Sequence, residues 1–178
     1  MAIDSISINR APVLTLWAAI VAERLGFTHD EALTLGRAVA GLNAYSKGKA
    51  LGIFKPTPKE VQAKRAAKAK TKQVLQVELL HRAVPVVQTP EGLRALNKEE
   101  PIAPSSVEKY LTGKFKTALG PVSAAMALLA DSRDSEELAA EAYALYEQFR
   151  PAIPAGEAGW GAAGTLSLAR IRKLAKRK

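Results

Sequence analysis

An uninterrupted apolar run near the start of the chain places the strongest limit on its fold. The twelve residues from Ala11 to Ala22 include a single polar side chain, Thr15. A membrane-spanning helix needs about 20 apolar residues, so a run of this length belongs inside a helical domain. Its side chains are apolar around most of the helix, which therefore needs neighbours on several sides. We predict a central helix over residues 11–25, with Pro12 in its first turn and Gly26 just past its end.

The next segment has the features of a close helical partner. Thr28 and Glu31 have the spacing of a capping box, which predicts a second helix from about residue 29 to residue 45. A ridge of small residues lets another helix approach closely, so we predict a tight antiparallel pair. The small residues recur every four positions, at Ala32, Gly36, Ala40 and Ala44.

A loop and a lysine-rich helix are predicted next. Residues 45–56 contain two glycines and a proline, a composition typical of a loop. Thr57 and Glu60 form another capping box, which predicts a third helix that continues to Lys72. This helix has no wide apolar face, so we expect it on the surface. The whole segment 47–72 is the region that we expect to be most mobile.

The pattern changes to that of strands after residue 73. Apolar and polar residues alternate over 74–79, which favours a strand. Residues 83–96 predict a β-hairpin, because TPEG at 89–92 is a good turn sequence. Pro85 cannot donate a ladder hydrogen bond, so we predict that its strand lies at a sheet edge.

The second half of the chain returns to helices. Three are predicted, starting near Pro104, Pro121 and Asp134, and Glu137 completes a cap for the last of them. Residues 151–164 are irregular, and a basic C-terminal helix follows over 167–178. The prediction is a single, mainly α domain over 1–178: a bundle-like set of helices with a small antiparallel β-hairpin or three-stranded meander in the middle.

Positive charge is concentrated in two short stretches. Residues 47–72 contain nine Lys or Arg residues against Glu60 alone, and residues 170–178 contain six basic residues and no acid. The net charge of the whole chain is +9, so the rest of the chain is slightly acidic. Solubility alone would spread the charge, whereas clustered charge is typical of a protein that binds a polyanion.

These stretches supply the candidate nucleic-acid contacts. Exposed Lys and Arg side chains bind phosphate groups, and lysines act as point charges that read little base sequence. The hairpin, with Arg82 and Arg94, would add a wing beside them. The alternative for the lysine-rich helix is a solvated helix without a partner. The candidate residues are Lys64, Arg65, Lys68, Lys70, Lys72, Arg170, Arg172, Lys173, Lys176 and Arg177.

The sequence contains no convincing catalytic motif. There is no cysteine, which excludes disulfides, thiolate zinc sites and cysteine nucleophiles. Residues 159–164 spell GxGxxG without a βαβ unit around them; we expect Trp160 to fill a gap in the core, with base stacking as the alternative. Ser46 and Lys49 match SxxK but lack the other motifs of a penicillin-recognising enzyme.

The two histidines do not have metal-ligand spacing. We expect His29 on the surface at a helix N-terminus and His81 in a partly buried structural position, with a phosphate contact beside Arg82 as the alternative. No acid–base pair stands out. We expect no cofactor and no metal, and the absence of a secretory signal pattern predicts a cytoplasmic location away from membranes.

Much of the sequence resembles a group of uncharacterised bacterial proteins. The likeness is carried by RAPVLTLWAAIVAERLGF and LTLGRAVAGLNAYSKG, and also by HRAVPVVQTPEGLRAL and GWGAAG. The resemblance implies a bacterial protein that forms one unit. No activity is assigned to that group, so the resemblance implies no site residue.

The charge pattern leads to a functional expectation. We expect a nucleic-acid-binding protein, for DNA or RNA, of low sequence specificity. The alternative is a non-catalytic interaction module that docks an acidic protein, or its own copy, through its small-residue helical surface or its basic segment. An enzyme acting on a phosphorylated small molecule is a third hypothesis, disfavoured by the lack of a catalytic constellation.

Overall fold

The computed structural model is mainly helical and describes residues 4–50, 75–97, 100–151 and 163–176, with side chains left out for 43–50 and 163. The helices within these ranges are α1 (Arg10–Arg24), α2 (His29–Ala50), α3 (Pro104–Phe115), α4 (Leu119–Asp131), α5 (Ser135–Phe149) and α6 (Leu168–Ala175). The strands are β1 (Ser5–Asn9), β2 (Leu75–Leu79), β3 (Arg82–Thr89), β4 (Gly92–Asn97), β5 (Glu100–Pro101) and β6 (Ala163–Ser167).

Helix α1 lies at the centre of the fold, as its sequence predicts. Every residue from Ala11 to Ala22 is buried, and the helix contacts α2, α3, α4 and α5. The indole Nε1 of Trp17 donates to the carbonyl oxygen of Ala142 in α5 at 2.9 Å. The hydroxyl of Thr15 donates back to the carbonyl oxygen of Ala11, also at 2.9 Å. The polar groups of these two buried side chains are therefore satisfied.

Helices α1 and α2 pack closely through small residues. A Cβ atom added to Gly36 would lie 2.4 Å from the carbonyl oxygen of Thr15 and 2.9 Å from the amide nitrogen of Ala19. Both helices reach this contact about two turns from their connection, so they run antiparallel. Ala32 and Ala40 on the same face of α2 are also buried. This small-residue surface is occupied within the chain, and a partner would have to use another one.

The N-terminus of α2 is capped as predicted, but its C-terminus is not where the sequence placed it. The backbone N–H of Thr28 donates to Glu31 Oε1 at 2.9 Å, and the N–H of Glu31 donates to the Thr28 hydroxyl at 3.3 Å. The helix continues through Ala50, so the predicted loop was wrong over residues 45–50. One interior glycine costs about 1 kcal/mol, which an established helix tolerates. The rest of that loop and the lysine-rich helix lie outside the described residues.

The middle of the chain forms a four-stranded antiparallel meander in the order β2-β3-β4-β5. The predicted turn joins β3 to β4, with Gly92 at φ +123°. The edge position predicted from Pro85 was wrong, since β3 pairs on both sides. Pro85 faces Gln76 of β2, however, and the ladder with β4 begins only at Val86. The proline therefore lies in the half of β3 that has one neighbour.

The outer edge of β4 is covered by the first turns of α2. The backbone N–H of Leu93 donates to Glu31 Oε2 at 2.9 Å, and the N–H of Ala95 donates to the buried Thr34 hydroxyl at 3.1 Å. The carbonyl oxygen of Ala95 accepts from the N–H of Ile102 at 2.9 Å. Side chains of α2 therefore satisfy backbone groups that a further strand would otherwise pair with.

The remaining helices follow the sequence closely. Helix α3 begins at the predicted Pro104, and α4 begins two residues before Pro121. The carboxylate of Asp134 caps α5 by accepting from the N–H of Glu137 at 2.8 Å. The predicted inward positions of α5 are all buried: Leu138, Ala142, Leu145, Tyr146 and Phe149.

A second, two-stranded sheet joins the two ends of the described chain. Strand β1 pairs antiparallel with β6, from Ser5 opposite Ser167 to Asn9 opposite Ala163. The N–H of Leu168 donates to the carbonyl oxygen of Asp4 at 2.8 Å. This sheet, which was not predicted, leads directly into α1 at one end and into α6 at the other.

Candidate functional site

Helix α6 presents a basic surface because its two sides differ. Leu168 and Ile171 are fully buried and anchor the helix on α4 and α5. The hydroxyl of Ser167 caps its N-terminus by accepting from the N–H of Arg170 at 3.2 Å. Three of the predicted phosphate contacts are exposed on the outer side, and we call them the basic ridge: Arg170, Lys173 and Lys176.

A buried arginine holds the far end of α6 in place. Arg133, at the α4–α5 connection, donates from Nη1 to the carbonyl oxygen of Leu174 at 3.0 Å and pairs with Glu141 at 3.4 Å. Only 9% of its side chain is exposed. A cation beside the last carbonyls of a helix is favoured by the helix dipole. The ridge is therefore carried by a helix that is tied down at both ends.

Arg172 stands apart from the basic ridge. It is half-buried, and its Nη1 lies 3.6 Å from a carboxylate oxygen of Asp4. By contrast, no carboxylate among the described residues forms an ion pair with any member of the ridge. In the described part of this helix, the predicted basic strip therefore consists of three cations without a carboxylate partner and one cation, Arg172, that is paired with Asp4.

Two further arginines lie close to the ridge and were missed in the sequence. Arg10 donates from Nε to the carbonyl oxygen of Pro151 at 2.9 Å, and Arg170 donates from Nε to that of Gln148. In the sequence, Arg150 lies between Gln148 and Pro151, whose carbonyl oxygens accept these two hydrogen bonds. Burial and the nearby Arg150 guanidinium lower the pKa of Arg10. No local pattern could have revealed this group, because its members are up to 160 residues apart.

Arg94, one of the two arginines of the predicted basic wing, does not contribute to it. Arg94 is only 8% exposed, and its Nη1 donates to the carbonyl oxygen of Leu93 at 2.9 Å. The backbone N–H groups of Thr28 and Leu93 hold the pKa of Glu31 below its ordinary value, and the Arg94 guanidinium adds a smaller effect in the same direction. Arg94 therefore serves the contact between α2 and β4, and it was wrong to place it at a phosphate.

His81 is exposed, not partly buried as predicted. It follows Leu80 in the tight turn between β2 and β3, and both residues have positive φ, at 62° and 50°. Two such residues are typical of the type I′ hairpin turn. Leu80 is 3% exposed, and burial of its side chain offsets the cost of the left-handed backbone.

His29 lies on the surface at the start of α2, as predicted. Its ring nitrogens contact Glu23 of α1 at 2.5 Å and Glu108 of α3 at 3.2 Å. The hydrogen bond with Glu23 is the main reason that the pKa of His29 is raised, although partial burial opposes it. The imidazole therefore ties three helices together.

A groove with a volume of about 520 Å³ lies between α2, β5 and the start of α3. Arg37 lines it and stacks on the ring of Tyr110, with the guanidinium carbon 4.9 Å from the ring centre. Glu100 lines the same groove. Opposite charges in an open groove do not select one ligand class.

Several sequence candidates lie outside the described residues or side chains. These are Lys64, Arg65, Lys68, Lys70, Lys72 and Arg177, together with Trp160 and the side chains of Ser46 and Lys49. Among the described residues, no group of three His, Asp or Glu side chains is arranged to hold a metal ion. Within the same ranges, no helix has the length and apolar character needed to span a membrane.

Comparisons with models of known families, with curated proteins and with solved structures find no significant match for this chain. The functional argument therefore rests on the residues of the site alone.

Proposed function

We propose that this protein binds nucleic acid through phosphate contacts, with low sequence specificity. The observation that carries the proposal is the basic ridge: three cations exposed on one side of an anchored helix, without a carboxylate partner in the described part of the chain. Phosphate contacts of this kind release condensed counterions, which drives binding without reading bases.

The dimensions of the ridge suit a nucleic-acid strand. Arg170 and Lys176 are six residues apart, which corresponds to about 9 Å along a helix axis. Backbone phosphates of one strand repeat about every 3.4 Å along a duplex axis, so the ridge can reach two or three of them. Two of its members are lysines, which contact phosphate as point charges. The lysine-rich segment 47–72 would supply further phosphate contacts.

The test is a fluorescence-anisotropy titration of labelled duplex DNA, single-stranded DNA and structured RNA at several salt concentrations. The ridge variant carries Lys173→Gln and Lys176→Gln. The matched control carries Lys109→Gln and Lys114→Gln on the exposed side of α3, which removes the same charge elsewhere. A third variant replaces the basic residues of the segment by glutamine: Lys64, Arg65, Lys68, Lys70 and Lys72.

We expect the ridge variant to bind more weakly and to lower the slope of log K against log salt by about 2, one unit for each lost phosphate contact. The control should keep the wild-type slope. Absence of binding at low salt, or equal losses in the ridge and control variants, would contradict the proposal. In the first case an acidic protein partner becomes the hypothesis to test.

A further inference from the structure

Three arginines from three separate elements converge where α5 ends. Arg10 is the first residue of α1, Arg150 directly follows α5, and Arg170 lies in the first turn of α6. The hydrogen bonds of Arg10 to Pro151 and of Arg170 to Gln148 place both guanidinium groups within the four residues around Arg150. We call Arg10, Arg150 and Arg170 the arginine cluster.

This much positive charge is not explained by helix capping alone. A helix C-terminus carries roughly half a negative charge, which favours one nearby cation. Arg10 and Arg170 each use a single donor on the carbonyl groups there, and each guanidinium has five. Within the described ranges no carboxylate forms an ion pair with the cluster, and Arg150 makes no side-chain hydrogen bond.

The geometry favours an oxyanion with several acceptor atoms. Guanidinium groups present parallel donors that match two oxygens of a phosphate, and such bonds are stronger than those of neutral pairs. Arg10 and Arg170 make their hydrogen bonds through Nε, and within the described residues no hydrogen bond uses their terminal Nη groups. Arg150 completes the set from the chain between them.

We propose that the arginine cluster is a phosphate-binding site that anchors one backbone phosphate of the nucleic acid at the end of the basic ridge. The inference rests on the proposed function, because Arg170 belongs to both groups. It adds Arg10 and Arg150 to the interface. It also assigns the cluster a bidentate contact, whereas the lysines of the ridge supply charge only.

The test separates geometry from charge by exchanging Arg and Lys at two positions. Arg150→Lys keeps the charge and loses the planar fork, and Arg150→Gln loses both. The matched controls are Lys109→Arg, on the exposed side of α3 and outside the ridge, and Lys173→Gln on the ridge. Affinity for a labelled oligonucleotide is measured at constant salt, and circular dichroism with thermal unfolding checks that each variant is folded.

We expect Arg150→Lys to weaken binding about tenfold, the effect of losing one charged hydrogen bond, and Arg150→Gln to weaken it further. Lys109→Arg should stay within about twofold of the wild type. If Arg150→Lys binds like the wild type, and Arg150→Gln loses no more affinity than Lys173→Gln, the cluster supplies charge only. That result overturns the phosphate site and leaves the proposed function standing.

A second measurement distinguishes a nucleic-acid phosphate from a free one. Thermal unfolding is followed with inorganic phosphate and with chloride at equal ionic strength. Stabilisation by phosphate that disappears in Arg150→Gln, in a protein that binds no oligonucleotide, would keep the site and overturn the proposed function. Absence of both responses would overturn both proposals.

Discussion

Helices α1 and α6 differ in how much of their surface is buried. Helix α1 is buried all round over residues 11–22 and is enclosed by four other helices. Helix α6 buries Leu168 and Ile171 but leaves Arg170, Lys173 and Lys176 in solvent. Any change within residues 11–22 of α1 therefore acts on the stability of the fold, whereas stability and binding are separated on the two sides of α6.

The largest effect is expected where α1 meets α2. Gly36→Ala would place a Cβ atom 2.4 Å from the Thr15 carbonyl oxygen, so the two helices would have to separate. We expect a loss of about 3 kcal/mol in the free energy of unfolding, the upper part of the usual range for overpacking. Urea denaturation measures it.

Gly41 in the same helix is the matched control, since an added Cβ there meets nothing within 4 Å. Gly41→Ala should stabilise the protein by about 0.5–1 kcal/mol through helix propensity and a less flexible unfolded state. Equal effects at both glycines would show that the close helix contact is not what limits position 36.

A smaller effect is expected on the inner side of α6. Ile171→Ala removes a fully buried side chain and should cost about 2 kcal/mol, at the low end for such a change because a peripheral helix can relax into the space. The affinity of the folded protein for the oligonucleotide should not change.

Lys173→Ala on the outer side of α6 should have the opposite pair of effects. We expect weaker binding, with a change in the free energy of unfolding below about 0.5 kcal/mol. If Ile171→Ala and Lys173→Ala changed stability and oligonucleotide affinity in the same way, the two sides of α6 would not have separate roles.

A further effect concerns the hydrogen bonds between α2 and β4. Glu31→Gln replaces one carboxylate oxygen with a donor, which leaves the N–H of Thr28 or Leu93 without its acceptor. We expect a loss of about 1–2 kcal/mol at pH 7. Denaturation by urea over a range of pH measures it.

The Glu31 carboxylate should also make the free energy of unfolding depend on pH. The backbone N–H groups hold the pKa of Glu31 below its ordinary value of 4.5. Its contribution is therefore complete above pH 4.5 and is lost as the pH falls through the lower, folded-state pKa. In Glu31→Gln the free energy of unfolding should therefore fall less steeply as the pH is lowered below 4.5. An unchanged slope would argue against the hydrogen bonds of Thr28 and Leu93 to Glu31.

The smallest effect is expected at the exposed His29. Its pKa is raised from 6.5, chiefly by the hydrogen bond with Glu23. Its contribution is thus present below pH 6.5 and is lost as the pH rises through the higher, folded-state pKa. The side chain is 63% exposed, so we expect at most about 0.5 kcal/mol between pH 6 and pH 8. His29→Gln should abolish this difference, and Glu108→Gln should reduce it.

Sequence patterns succeeded where the interactions are local. The capping box at Thr28 and Glu31, the cap at Asp134 and the turn before Gly92 all depend on residues within four positions. The buried side of α5 also follows from helical spacing alone. The error at Pro85 arose because β4 pairs with the second half of its strand, and the error over residues 45–50 arose because α2 continues through an interior glycine.

The candidate site was only partly accessible to such patterns. The charge of α6 and its apolar side are visible in the sequence, so the ridge was predicted as part of a longer list. The separation of Arg172 from that ridge required Asp4, which is brought there by β1. Arg94 was misplaced because nothing near it in the sequence indicates that it would be buried against α2.

The amino-acid sequence by itself determined that this chain has a buried central helix, a close helical partner for it and a basic C-terminal helix. Each of these follows from residue spacing within a few turns, where backbone geometry dictates which side chains share a face. The tertiary structure alone decided the pairing of β1 with β6, the cover of β4 by Glu31 and Thr34, and the meeting of Arg10, Arg150 and Arg170. These contacts join residues far apart in the chain, and packing of the whole core selects them.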